Sequence, residues 1–100
     1  MKLIEAVIMP TNLKKVKRAL QAIGIETIME RKLICHCWEM KESLLSRGTE
    51  FMMEFVDKVK LEIIADECSV GKIRELIRTS VKTEQKEDCR ISIYPYVEAN

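Results

Sequence analysis

Two strand–helix–strand units in one chain, sharing a four-stranded antiparallel sheet in an α+β sandwich, are predicted by three observations. Shifting the sequence by 57 positions lays Ile4-Glu5-Ala6-Val7 on Leu61-Glu62-Ile63-Ile64, Leu13, Val16 and Leu20 on Val70, Ile73 and Ile77, and Ile34 on Ile91. Each half carries one apolar stripe at helical spacing, bracketed by short β-branched apolar runs. The 100 residues are 47% hydrophobic and 33% charged, the mix of a single globular domain spanning 1–100.

The elements follow in order. Residues 2–9 read as a buried strand closed by Pro10. Thr11 or Asn12 is expected to cap a helix whose stripe is Leu13, Val16, Leu20 and Ile23 and which Gly24 ends. A second strand is expected over about 25–34, a third over Val59–Ala65. Ser69 is expected to cap a second helix striped by Val70, Ile73, Ile77 and Val81, with a last strand from Ile91 to Tyr94 stopped near Pro95. Right-handed crossovers then give a ferredoxin-like βαββαβ arrangement with both helices on one face of the sheet.

What covers the other face is a separate question. Ile4, Ala6 and Ile8 share one side of the first strand, but Leu3, Val7 and Met9 on the opposite side are also apolar. A solvated sheet face would alternate to polar, so copies of the same chain are expected to bury it.

Charge and cysteine usage narrow the function classes. With 17 basic and 16 acidic residues the chain lacks the electrostatic footprint of a nucleic-acid binder, and the cluster Lys14, Lys15, Lys17 and Arg18 reads as a solvated helix face. No window resembles a membrane span or secretory signal, so no membrane insertion is expected. Four cysteines without a signal point to thiols in a reducing cytoplasm. No nucleophile–base–orienter set and no phosphate-cradling glycine motif is present, which argues against an enzyme.

Residues 35–58 have no place in the repeat and are expected to hold a long exposed loop, about 35–55, of the kind that carries function. At its entry stand Cys35, His36 and Cys37, followed by the only tryptophan, Trp38. In an extended chain both cysteines face one side and His36 the other. Two thiolates so spaced suit Zn(II) or Cu(I), with further ligands from Glu39 or a second chain. The competing reading is a half-buried strand end carrying small, soft residues. Cys68, at a helix start, and Cys89, in a turn, are given no function.

The residues also resemble a known family. Met1–Pro10, then Leu13, Val16, Ala19-Leu20 and Gly24-Ile25, is similar to the opening of the P-II nitrogen-regulatory signal proteins. Arg47-Gly48-Thr49-Glu50-Phe51, followed by Phe55 to Ile64, resembles the stretch after that family's long loop, and Ile77-Arg78-Thr79 its second helix. The resemblance implies a homotrimer, a regulator and not a catalyst. It implies an adenine nucleotide (ATP, ADP or AMP) as effector, with Lys58, Ile64, Thr83 and Arg90 as the carried-over positions. It also implies a partner, a membrane transport protein or an enzyme, met through loop residues Glu42, Arg47, Glu50 and Phe51.

Departures from the pattern are as informative. The family's Thr-Gly-x-x-Gly-Asp-Gly-Lys turn reads Thr83-Glu84-Gln85-Lys86-Glu87-Asp88-Cys89-Arg90 here, without its glycines and with two added carboxylates. Phe51 stands where typical members carry a modifiable tyrosine, and Glu39 suits an acidic metabolite poorly. Neither 2-oxoglutarate sensing of the ordinary kind nor covalent tyrosine control is expected. The alternative to nucleotide sensing is a metal-binding member using Cys35, His36 and Cys37.

Overall fold

A computed structural model describes residues 1–43, 48–81 and 89–99, with backbone and strand pairing alone for 37–43 and 48–55. The order is β1 (Lys2–Ile8), α1 (Leu13–Ala22), β2 (Met29–Ser43), β3 (Gly48–Ala65), α2 (Val70–Ser80) and β4 (Cys89–Pro95). The four strands form one sheet in the order β2-β3-β1-β4, every neighbouring pair antiparallel. This is the expected βαββαβ sandwich.

Period-two alternation fixes which face is which. Ile4, Ala6 and Ile8 of β1 are wholly buried, and so are Leu61 and Ile63 of β3, with Val59 nearly so. They pack with Val16 and Leu20 of α1 and Ile73 and Ile77 of α2 in a single core. Each large side chain there contributes roughly 1.5–3 kcal/mol on leaving water.

Both helices are entered by the same device, one repeat apart. Extended Met9 (φ −73°, ψ 143°) leads into a 3₁₀ turn, Pro10–Asn12, before α1. Extended Asp66 (φ −66°, ψ 149°) leads into another, Glu67–Ser69, before α2. The expected side-chain caps from Thr11 or Asn12 and from Ser69 are not made. Asn12 and Ser69 already have helical backbone angles, whereas a capping side chain reaches back only from an extended residue. Backbone donors do the work instead: Asn12 N–H to Met9 O at 3.0 Å and Ser69 N–H to Asp66 O at 2.9 Å.

Helix α1 ends as expected at Gly24, whose φ of +91° few other residues adopt. Gly24 N–H donates to Gln21 O and Ile25 N–H to Leu20 O, each at 3.0 Å, the two bonds of a Schellman motif.

Three further expectations are corrected. First, Ile34 does not match Ile91. Ile91 pairs with Ala6 in the core-facing register. In the other half the corresponding place, beside Ile63, belongs to Ile28, one residue before the β2–β3 ladder begins. Ile28 and Ile91 both pack against the core, while Ile34 is 65% exposed. Ile28 lies 63 positions before Ile91, six more than the repeat's 57, because the path from α1 to β2 is shorter than that from α2 to β4.

Second, the described residues of 35–55, that is 35–43 and 48–55, form no irregular loop. Strand β2 runs on to Ser43 and β3 begins at Gly48, so the second strand is not confined to 25–34 nor the third to 59–65. The ladder continues from Cys35↔Val56 to Ser43↔Gly48, adding about 27 Å at ~3.4 Å per residue. Trp38, Thr49, Phe51 and Phe55 favour this extended pairing. The molecule measures 57 × 30 × 20 Å. Third, Cys89 does not lie in a turn: it opens β4, opposite Ile8 and against the core.

Candidate functional site

The sheet face away from the helices gathers most of the residues that carry chemistry. Register partners share a face, so the ladders can be read in rows. Tyr94, Leu3 and Ile64 form one row; Ser92, Glu5, Glu62 and Met29 the next. Then come Arg90, Val7, Lys60 and Arg31, followed by Lys58 beside Leu33 and Val56 beside Cys35. An acidic row and a basic row thus lie side by side between apolar residues at the two ends.

Three cations stand in a single row. Arg90, Lys60 and Arg31 occupy β4, β3 and β2, with Lys58 one row further along β3. Neighbouring strands lie ~4.8 Å apart, so Arg90 and Lys60 are about 10 Å apart at the backbone. Lys60 Nζ is held 2.9 Å from Glu5 Oε1. That leaves Arg90 and Arg31, both exposed, as the ends of the row.

Three expected nucleotide positions share this face, Lys58, Ile64 and Arg90. Arg90 and Lys58 are about 12 Å apart at the backbone by strand spacing. Ile64 is six residues from Lys58 along β3, roughly 20 Å, so one chain does not bring those two to a common ligand. Thr83 lies outside the described residues. Sequence reasoning missed Arg31 and Lys60: nothing in the local sequence announces which residue of β2 will stand beside which residue of β3.

The expected partner-binding residues belong to the β2–β3 ribbon. Glu42 pairs in register with Thr49, Glu50 with Lys41 and Phe51 with Met40, while Arg47 lies outside the described residues. Positions 35 and 37 share one face of the ribbon and position 36 the other, as the extended spacing predicts. Cys35 is half-buried and His36 exposed. Among the described residues no three of His, Cys, Asp and Glu come close enough to share a metal ion.

Two further thiols are described. Cys68 is exposed in the turn before α2, and Cys89 is half-buried. Burial pushes the Cys89 thiol above its ordinary value of 9.0, with the Arg78 guanidinium pulling weakly the other way. No helix of the described residues is long and apolar enough to cross a membrane.

The sequence profile of the family described as nitrogen regulatory protein P-II matches residues 1–99. The nitrogen regulatory protein P-II of Rhodospirillum rubrum is 33% identical over 99 residues, covering 99% of this chain and 88% of that protein. Its counterpart in Porphyra purpurea is 34% identical over 93 residues, covering 93% and 83%. Among solved structures, B. subtilis GlnK superposes with a TM-score of 0.73 at 24% identity, covering 93% of this chain and 82% of that one. A GlnK–ATP complex from the same organism superposes with a TM-score of 0.76, also at 24% identity, covering 93% and 81%.

Proposed function

The chain belongs to the nitrogen regulatory protein P-II family, and from that premise we propose that it senses an adenine nucleotide as a homotrimer and regulates a partner through its β2–β3 ribbon. One observation carries the reading: the Arg90–Val7–Lys60–Arg31 row, with Lys58 beside it, on the sheet face away from the two helices. Arginine and lysine on neighbouring strands supply the donors that phosphate oxygens need. The solved relative that holds ATP supports the choice of ligand, since its fold is shared here.

Without its glycines the 83–90 turn cannot bring backbone N–H groups close to an anion as a glycine-rich turn does. Charge on the sheet face therefore takes a larger share of phosphate recognition, from Arg90 and Lys58. The half-buried apolar residues between the charges, Leu3, Val7, Leu33 and Ile64, are the surface that a second and third copy would cover. A trimer also resolves the separation of Ile64 from Lys58, because a cleft between copies draws one residue from each. The ribbon reaches beyond the sandwich and meets the partner, a membrane transport protein in this reading. The protein acts by binding, in the cytoplasm, and catalyses no reaction.

The metal alternative fits less well. The register sets position 36 on the other side of the ribbon from positions 35 and 37, whose face also holds positions 39 and 54, so His36 does not join the two cysteines within one chain.

Isothermal titration calorimetry of the reduced protein with ATP, ADP and AMP tests the proposal. Micromolar binding that Arg90→Ala and Lys58→Ala each weaken about tenfold is expected. Absence of heat with all three nucleotides overturns the nucleotide assignment, and tight Zn(II) uptake lost in Cys35→Ser/Cys37→Ser would replace it with the metal reading.

A further inference from the structure

A second charged surface lies away from the sheet face. Pro10, Leu13, Lys14, Lys17, Arg18 and Gln21 line an open groove of about 500 Å³ along α1. Positions 14, 17, 18 and 21 fall on one side of the helix by their spacing. Residues 10–22 carry four cations and no acid; since the chain totals +1, all other residues together carry a formal −3.

This placement works against the helix that bears it. Lys14 and Lys15 occupy the first turn of α1, the positive end of the helix dipole, where acidic residues are favoured and α1 has none. Lys14–Lys17 and Lys14–Arg18 are like-charged neighbours at three and four residues, which repel. The repeat shows that the fold does not require this. At the matching positions of α2, Lys14 is replaced by Gly71 and Arg18 by Glu75, while Lys15 and Lys17 keep basic counterparts in Lys72 and Arg74, and the acidic Glu67 stands in the 3₁₀ turn that precedes the helix. Like-charged pairs with no acid among them, where α2 places Glu75 among its cations, are the mark of a surface shaped for something else.

The groove also shows what it accepts. Glu30, at the start of β2, holds a carboxylate oxygen 3.2 Å from Lys17 Nζ, with both side chains over a third exposed. Such a pair exchanges readily for another carboxylate. Lys14 and Arg18 stand on either side of Lys17 with no acid of the helix beside them, and Pro10 and Leu13 add apolar surface at one end.

We propose that this groove docks an acidic segment of a partner protein, Asp/Glu-rich with an apolar residue among the acids, with a partner carboxylate displacing Glu30 from Lys17. The site is independent of the nucleotide reading and lies apart from the ribbon.

Fluorescence anisotropy of a labelled peptide alternating Asp, Glu and Leu, titrated with the full-length protein at low and at high salt, is the test. Binding is expected at low salt, reduced at least about tenfold by Lys14→Glu/Arg18→Glu and less than about threefold by Lys15→Glu, which changes charge outside the groove. Glu30→Gln, by freeing Lys17, should tighten binding. Lys14→Gln/Arg18→Gln serves if the charge-reversed protein fails to fold, and should also weaken binding more than Lys15→Glu. Equal losses for Lys15→Glu and the groove variants would overturn the proposal, as would absence of peptide binding. Vesicles of phosphatidylcholine and phosphatidylserine run alongside: groove-dependent sedimentation with vesicles and no peptide binding would assign the surface to lipid and also overturn it.

Discussion

Lys60 reaches diagonally across the β1–β3 ladder to Glu5, Nζ to Oε1 2.9 Å, although its register partner is Val7. Glu5 in turn stands directly opposite Glu62, and like charges facing each other across strands repel. Lys60 therefore offsets a repulsion built into the open face. In a double-mutant cycle of Glu5→Gln and Lys60→Met, chemical denaturation should give a coupling of about 0.5–1 kcal/mol. Glu62→Gln alone should leave stability unchanged or slightly raised, and a clear loss would contradict this account of the face.

Covering of the open face by other copies is tested at Leu3. Leu3→Asp puts a charge between Tyr94 and Ile64 without touching the helix-side core. Light scattering should show the wild type near three times its 11.6 kDa chain mass and the variant near one, with far-ultraviolet circular dichroism unchanged. A wild-type monomer at micromolar concentration would remove the trimer from the proposal.

Packing and register make opposite demands on two isoleucines of similar sequence context. Ile63→Ala, in the wholly buried core, should cost about 2–5 kcal/mol, whereas Ile34→Ser should cost less than about 0.5 kcal/mol. Urea midpoints decide, and a large cost at Ile34 would restore the 57-residue match that the ladder overturns.

Gly24 tests the helix end. Nothing lies within 4 Å of the place a Cβ would occupy, so Gly24→Ala meets no clash and its cost is that of a positive φ. About 1–2 kcal/mol is expected. Thermal melts should fall by roughly 4–8 °C for each kcal/mol.

Alkaline pH should act through Cys89. Because burial raises its thiol above 9.0 in the folded chain, the unfolded chain loses that proton first. The contribution is fully present below the unfolded value and is lost as pH rises through the folded one, so stability should decline above about pH 9. Cys89→Ser should flatten that decline. Alkylation by iodoacetamide should reach exposed Cys68 well before Cys89.

Local chemistry made the sandwich legible in the sequence. The apolar, partly β-branched run of residues 2–9 closed by Pro10, the stripes through Val16 and Leu20 and through Ile73 and Ile77, and the Gly24 stop are all set within a turn or two of chain. Distances across the sheet were not legible. The match of Ile34 to Ile91 failed because strand register depends on how far a connection carries the chain, and residue types near either isoleucine do not encode it. The ribbon was read as a loop for a similar reason. Cys35 to Ser43 carries few strong alternation signals on its own, and pairing with residues 48–56 makes it a strand. Arg31, Lys60 and Arg90 became neighbours only through two ladders, which is why the charged row escaped a linear reading while Lys58 and Arg90 were found by likeness alone.

A paired arm of this kind has an arithmetic of its own. Removing one residue from each strand of the ribbon keeps every register partner but turns all positions beyond the cut to the opposite side. Removing two from each restores the sides and withdraws the tip by about 7 Å. Reach and chemistry can therefore be edited separately, provided the edits come in even steps, so a designer can shorten the arm without rewriting what its tip presents.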